Sequence, residues 1–475
     1  MFLQSHPPKN DMAIVVNLTT ARHWRAQPVG IVRVERELAR ALRDDESTRF
    51  VFFDGIHRCF RWLSPNDVTA ILSEAWCMPS LSDDNGRVAK PDHSASVWAM
   101  RSLVVRLVKP ATVARLGAAY LRTKNAVSRW RAEMMRRACS LGGKVGQAVA
   151  TAVPGAPRAT LERADVFVSV GLDWDLSPTA DIHRFVSESG ARCVLACYDT
   201  VPLLFPEYCV RPKFDRLFQQ HFVDVAHTAD RVFAISDNSK RDLENFWQKA
   251  DLATALPEVV ALPLASISAP EVLPPLELDS FNRVSEVLSG GDYALYVSSF
   301  ESRKNHRLLI SVWRDLFLEM GDRCPRLVLV GMSGWGTEDL ADEIRRMAAF
   351  RAKKIIWLTG ISDAMLQHLY KNCAFTVFPS LYEGWGLAAT ESMAFGKACV
   401  VATGSSLEEA TQRLMPTLHP LDFHGWKSII ARLSSDIAYR QSLEIAIHKH
   451  YQARTWKSFA HDFTNMIKLT VNPVT

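Results

Sequence analysis

The sequence has no CxxC pair, no run of eighteen uninterrupted apolar residues, and no basic stretch followed by a long apolar one at its start, MFLQSHPPKND. Each absence removes a class. The nine cysteines (59, 77, 139, 193, 197, 209, 324, 373 and 399) form neither a zinc knuckle nor a redox pair; several lie in apolar runs such as ARCVLACYD, which suits reduced, buried thiols. Neither a membrane span nor secretion is indicated, and a cytoplasmic location is expected. No D-x-D element is read in the cleft strands and the histidines show no ligand spacing, so no metal and no cofactor is expected. What is present is ordinary for a folded enzyme: 48% hydrophobic and 23% charged residues. At 475 residues the chain exceeds one ordinary core, and two domains are expected.

The net charge of +5 is unevenly placed. Residues 87–144 carry thirteen Lys and Arg against Asp92 and Glu133, so the rest of the chain is net acidic. This stretch is the centre of a basic helical insertion expected over about residues 80–160. Two readings stay open for it: an interfacial amphipathic helix pair drawn to an anionic membrane surface, or a surface insertion with a solvated basic face. No nucleic-acid-binding module is present, and nucleic acid is not expected as a partner.

Short apolar strands alternate with helical patterns along the chain. In the first half strands are expected at 13–18, 50–54, 165–171, 192–199, 231–236 and 258–262, with helices at 30–42 and 213–228. A proline-rich stretch without a sustained period follows and reads as an interdomain linker over 266–290. A second set of strands is expected at 293–298, 326–331, 354–360, 374–379 and 398–402. Continuous apolar strands joined by crossover helices imply an α/β fold of two doubly wound, Rossmann-like domains with parallel sheets, 1–265 and 291–452. Ligands of such sheets sit beyond the carboxyl ends of the strands, which places the site in the cleft between the domains.

The stretch SLYEGWGLAATESMAFGKACVV (380–401) reads as a strand end, a tight loop and a helix start. Gly384 and Gly386 let backbone amides approach a ligand, and a helix starting near Gly386 points free N–H groups at it, a plausible phosphate cradle. Glu383 at the lip would reach a sugar hydroxyl, and Glu391 inside the helix would accept ribose hydroxyls. The plainer alternative is a glycine turn with two surface carboxylates. In YVSSFESRKNHRLL, Arg303 and Lys304 follow another strand, where two cations would neutralise a diphosphate and stabilise a leaving nucleotide. The alternative, a basic helix start, is disfavoured by the helix dipole. Gly331, in LVLVGMSGWG, is by itself only a turn signal, since the segment does not fit a dinucleotide fingerprint.

Taken in order, YVSSFESRKN, LVLVGMSGWG, WLTGISDAMLQHLYKNCAFTVFPS and LYEGWGLAATESMAFGKACVV resemble the family 4 retaining glycosyltransferases of the GT-B fold. The last contains the E-x7-E element, Glu383 to Glu391. NLTTARHWRAQPVGIVRVERELARAL, CYDTVPLLFPEY and ADRVFAISDNSKRDL look like acceptor-domain signatures of that family. The resemblance implies that Arg303 and Lys304 bind the donor diphosphate, Glu383 lies near the transferred sugar, and Glu391 holds the ribose. Amides around Gly384, Gly386 and Leu387 would contact sugar and phosphate, Gly30 would approach the donor from the first domain, and Gly360 and Ile361 would wall the nucleobase. It also implies a C-terminal helix, 453–475, that returns to pack on the first domain. Two positions depart from the pattern: Ser298 stands where many members have glycine, and Tyr198 where many have histidine, leaving Asp199 to orient the acceptor. The alternative for Asp199 is a carboxylate capping the following turn.

The expected activity is retaining, metal-independent transfer of a sugar, mannose from GDP-mannose first, onto a glycan or lipid-linked acceptor in surface polysaccharide synthesis. An epimerase or hydrolase acting on nucleotide sugars, and a non-catalytic membrane-associated scaffold, are the competing readings.

Overall fold

In a computed structural model, described for residues 12–24, 30–73, 156–209, 214–252, 255–265, 270, 272–276, 278–332, 334 and 337–471, the apolar runs become two sheets. The first holds β1 (Ile14–Asn17), β2 (Thr48–Asp54), β3 (Cys59–Trp62), β4 (Val166–Ser169), β5 (Arg192–Cys197), β6 (Arg231–Ala234) and β7 (Glu258–Ala261), in the order β3-β2-β1-β4-β5-β6-β7. The second holds β8 (Tyr293–Val297), β9 (Arg326–Val330), β10 (Ile355–Leu358), β11 (Phe375–Phe378), β12 (Cys399–Ala402) and β13 (Thr417–Leu418), in the order β10-β9-β8-β11-β12-β13. All pairings are parallel except β2 with β3. Consecutive residues such as Val15 and Val16, or Phe167 and Val168, are fully buried although they point to opposite faces. Both faces of each sheet are therefore covered, which is why the strands read as unbroken apolar runs rather than alternating ones. Strand order reverses beside β1 and beside β8, and each reversal opens a crevice at the carboxyl ends of the strands.

Two strands lie outside the expected set. β3 forms an antiparallel edge after the turn Gly55–Arg58, where the Asp54 carboxylate accepts the Ile56 amide at 3.1 Å and the Arg61 guanidinium at 2.7 Å. β13 is a two-residue edge strand beside β12. Within 266–290, expected as linker, residues Leu278–Ser289 form a helix, and its Val284 and Val287 are buried with Tyr293 and Leu369 in the second domain's core.

The final helix, Trp456–Val471, leaves the second domain and lies on the first. Phe459 and Phe463 pack edge-on against Phe233 of β6, with ring centroids 5.6 and 5.3 Å away, and Arg231 donates to the Met466 carbonyl at 2.9 Å. The chain thus passes between the domains twice. Both passages, represented by Pro263 and Leu264 and by Tyr451 to Arg454, line one cavity of about 390 Å³. Among the described residues no helix is long and apolar enough to cross a membrane. Of the basic insertion expected over about 80–160, the residues up to 155, 87–144 included, lie outside the described residues.

Candidate functional site

The expected site residues follow strand ends: Asp199 follows β5, Arg303 and Lys304 follow β8, Gly331 follows β9, Gly360 and Ile361 follow β10, and Glu383 to Leu387 follow β11. Topology therefore gathers them at the carboxyl edges of the two sheets.

At the centre is a charged cluster. Arg303 and Lys304 sit in the short turn Ser302–Lys304, held by the Tyr296 hydroxyl donating to the Lys304 carbonyl at 2.6 Å. The Glu383 carboxylate accepts Lys304 Nζ at 2.6 and 2.8 Å, Arg303 Nη1 at 2.9 Å and Ser380 Oγ at 2.7 Å. Arg303 also donates to the Tyr382 carbonyl at 3.0 Å and pairs with Glu301 at 3.4 Å. The side chains of Arg303, Lys304 and Glu383 retain only 20%, 15% and 12% of their exposure. Burial pushes the Glu383 carboxyl up, but the two cations and the hydrogen bonds outweigh it and hold the pKa at about 2. Burial, reinforced by neighbouring Arg303, lowers the Lys304 pKa. Two cations at a strand end with one carboxylate between them can, chemically, receive a diphosphate beside a polar group.

The loop carrying Glu383 is pressed against the first domain. A Cβ on Gly384 would stand 2.4 Å from the Tyr198 carbonyl, so only glycine permits this approach. Ser239 Oγ bridges the same two segments, 2.9 Å from the Tyr198 carbonyl and 3.3 Å from that of Gly384. Tyr382 is anchored by Asn238 Nδ2 at 2.6 Å and donates to Asp242. Gly386 then turns the chain with φ +105° into the helix Leu387–Ala394, and a Cβ there would strike Leu407.

Glu391 is buried on that helix. It accepts the Tyr370 hydroxyl at 3.1 Å and Arg33 Nη1 of the first domain at 3.3 Å. Burial raises its pKa, against the pull of Arg33 and Tyr370. Gly30 takes φ +51° and caps the helix Ile31–Leu42 that carries Arg33.

Asp199 takes the capping reading. Its Oδ1 accepts the Val201 amide at 3.1 Å, opening the short helix Val201–Leu204, and it lies in the field of Arg303 and Glu383. Burial raises its pKa against Arg303. Gly331 donates its amide to Leu358 at 3.1 Å and meets the Ser298 backbone, while Gly360 turns with φ +58° after β10. The Ile361 side chain packs into the second domain's core, so that residue offers a ligand its backbone rather than its side chain.

Sequence reasoning passed over Arg33, although it obeys the signal that singled out Arg303 and Lys304: a cation in a first helical turn, where the dipole disfavours it. It also passed over Asp173-Trp174-Asp175, a D-x-D triplet after β4. Asp173 is turned inward, accepting Ser169 and Ser177 at 2.7 and 2.6 Å, with its pKa raised by burial to about 6. Among the described residues no three His, Cys, Asp or Glu side chains are grouped to hold a metal ion.

Residues 280–413, which contain the cation pair, the glycine loop and both glutamates, match the family of glycosyl transferases group 1. The second domain is thus a glycosyltransferase group 1 domain. Among its relatives, O-antigen chain mannosyltransferase B of Escherichia coli is 25% identical over 279 residues, 58% of this chain and 70% of that protein. The serotype-specific mannosyltransferase WbdA of Escherichia coli is 25% identical over 276 residues, and there the glycosyltransferase spans about a third of the relative's length. Its fold is shared with trehalose-6-phosphate synthase OtsA (TM-score 0.57, 13% identical, 96% of this chain and 99% of that one). It is shared equally with Alr3699/HepE of Anabaena in complex with UDP (TM-score 0.54, 13% identical, 96% and 100%).

Proposed function

We propose that this glycosyltransferase moves mannose from GDP-mannose, with retention of configuration and without a metal, onto a lipid-linked or polysaccharide acceptor in surface glycan synthesis. The observation that carries the reading is the Arg303, Lys304 and Glu383 cluster at the strand ends of the second domain, with Tyr198 and Asp199 of the first domain packed against its loop. The names of the two Escherichia coli relatives favour mannose and an O-antigen type of product.

In this reading Arg303 and Lys304 bind the diphosphate and Glu391 the ribose. The bond between the anomeric carbon and the phosphate oxygen breaks as the acceptor oxygen bonds to the same face of that carbon, and the acceptor proton passes to the departing phosphate. The cations stabilise charge where it develops, and being held in place beforehand they need little rearrangement. Glu383, beside the sugar and ionised at about pKa 2, stabilises the electron-poor carbon rather than attacking it. Asp199 orients the acceptor. The enzyme works on the cytoplasmic side, and residues 87–144 bring it to an anionic membrane surface.

The test is transfer from GDP-mannose, UDP-glucose and UDP-galactose to lipid-linked glycan acceptors, with and without magnesium, for the wild type and for Lys304→Ala. Acceptor-dependent, magnesium-independent transfer lost in the variant is expected. Donor breakdown or epimerisation without an acceptor would replace this reading with the epimerase or hydrolase one, and wild-type transfer by the variant would remove Lys304 from the site.

A further inference from the structure

Tyr382 stands immediately before Glu383, and its two ends are held by different domains. Its carbonyl accepts Arg303 Nη1 at 3.0 Å, and the same stretch is tied to the cation turn again by the Leu381 amide donating to the Arg303 carbonyl at 2.8 Å. The ring crosses to the first domain. There the hydroxyl donates to the Asp242 carboxylate and accepts Asn238 Nδ2 at 2.6 Å, both in the first two turns of helix Asp237–Ala250. The ring also lies 5.4 Å from that of Phe205, which follows the short helix opened by Asp199. Only 4% of Tyr382 is exposed, and burial together with Asp242 pushes the phenol pKa up, so the hydroxyl stays a donor. A tyrosine has two side-chain torsions, so a hydroxyl fixed on one helix and a ring fixed on Phe205 leave its main chain little room. Of the three groups that hold the Arg303 guanidinium, the Tyr382 carbonyl and the Glu383 carboxylate belong to that main chain, and Glu301 is the third.

Given the assignment of that cluster to the departing phosphate and the sugar proposed above, we propose that Tyr382 is a positioning residue for transfer: seated on Asp242 and Asn238 of the first domain, it sets Arg303 and Glu383 relative to the acceptor side of the cleft. It acts through those two side chains rather than on the sugar. Donor binding needs the second domain's cations, whereas transfer needs them aligned with an acceptor held by the first domain, so losing the seat costs turnover before it costs donor affinity. The seat is wider than one residue. Ser239, on the same helix, reaches the Gly384 carbonyl at 3.3 Å, and the Asp237 amide donates to Glu409 of the second domain at 3.0 Å. The hydroxyl can nonetheless be removed cleanly. Asn238 Nδ2 also donates to Asp242, at 3.1 Å, so the two first-domain partners satisfy one another once it is gone.

The test uses the full-length wild type, Tyr382→Phe, Asp242→Ala, their double variant and Asp242→Asn. Each is titrated calorimetrically with GDP and UDP and assayed for transfer from GDP-mannose, UDP-glucose and UDP-galactose to lipid-linked glycan acceptors. Tyr382→Phe keeps the ring on Phe205 and should lower kcat about tenfold or more, while nucleotide affinity and donor KM change less than about twofold. Asp242→Ala should lower kcat by a similar factor, and the double variant should be within about twofold of either single one, because the groups act as a unit. Asp242→Asn, whose amide oxygen still accepts the hydroxyl, should recover most of the loss. Unchanged kcat in Tyr382→Phe, a loss of nucleotide affinity that matches the loss of kcat, or single effects that multiply in the double variant overturn the positioning role. If the wild type transfers from none of the three donors, the function proposed above falls, and hydrogen exchange decides the positioning by itself. The amides of residues 301–305 should then exchange about fivefold faster or more in Tyr382→Phe, and unchanged protection there overturns it.

Discussion

Replacing Glu383 by glutamine removes one charge and almost no volume. In the native site that charge accepts Lys304 at 2.6 and 2.8 Å and Arg303 at 2.9 Å, in a pocket where all three side chains are largely dry. Breaking a buried pair leaves uncompensated charge and costs about 3–5 kcal/mol; Arg303 keeps Glu301 and some water contact, so the lower end, about 3 kcal/mol, is expected here. At roughly 2–4 °C per kcal/mol the melting temperature should fall by roughly 6–12 °C. On the proposed assignment, a nucleoside diphosphate would supply the missing negative charge to the same two cations. At one hundred times its dissociation constant it should return about 2.7 kcal/mol. It should also raise the variant's melting temperature more than the wild type's, where Glu383 competes for the cations. The assay is thermal denaturation of both proteins at low salt, with and without GDP and UDP, beside a transfer assay in which the variant is inactive. An unchanged melting temperature, or a loss that the nucleotide restores no better than it stabilises the wild type, would refute the reasoning.

Three further outcomes are expected. Glu35 is fully buried in the first domain, accepts the Ala21 amide, and burial lifts its pKa from 4.5 to about 8. Below about pH 4 the acid is protonated whether folded or unfolded. Between pH 4.5 and 8 only the unfolded chain releases the proton, so the wild type loses stability as pH rises and Glu35→Gln does not. By pH 9 the variant should lead by on the order of 4 kcal/mol in urea denaturation, and parallel pH profiles would contradict this. Gly384→Ala puts a methyl 2.4 Å from the Tyr198 carbonyl, so transfer should fall at least about fivefold by about 1–3 kcal/mol of overpacking while GDP titration changes little. Unchanged transfer would mean the loop does not press on the first domain during catalysis. Phe463→Ala, emptying the contact with Phe233, should cost about 3–5 kcal/mol in urea; a loss under 1 kcal/mol would mean the last helix is not docked there.

The parallel sheets were legible because strands buried on both faces, such as IVVN and VFVS, leave short, nearly unbroken apolar runs. The glycine loop and its two glutamates were legible because strand end, turn and helix start fall within a dozen residues and each carries its own local chemistry. β3 escaped because four residues, with one core-facing aromatic, make no period, and its turn is built by the Asp54 side chain rather than by an Asn-Gly pair. The helix Leu278–Ser289 escaped because prolines 274 and 275 precede it and set the texture of the stretch, although Val284 and Val287 keep helical spacing toward the core. Arg33 with Glu391, and Asn238 with Tyr382, join residues 358 and 144 positions apart. Such pairs exist only once two domains are placed face to face, and nothing local in either partner announces the other.

The double passage of the chain between domains has a mechanical consequence. A body tied by one flexible tether can spin, swing and tilt; tied by two tethers that run side by side, it resists spinning, and bending across the pair remains as the soft motion. Pro263 and Leu264 on one strand and Tyr451 to Arg454 on the other share a single cavity, so they act as the two knuckles of one pin. The docked final helix, seated on Phe233, holds the second knuckle to the first domain by packing, where the peptide chain holds the first covalently. Any opening and closing would then be confined toward one arc, which would bring the Gly384 loop back to the same place against Tyr198.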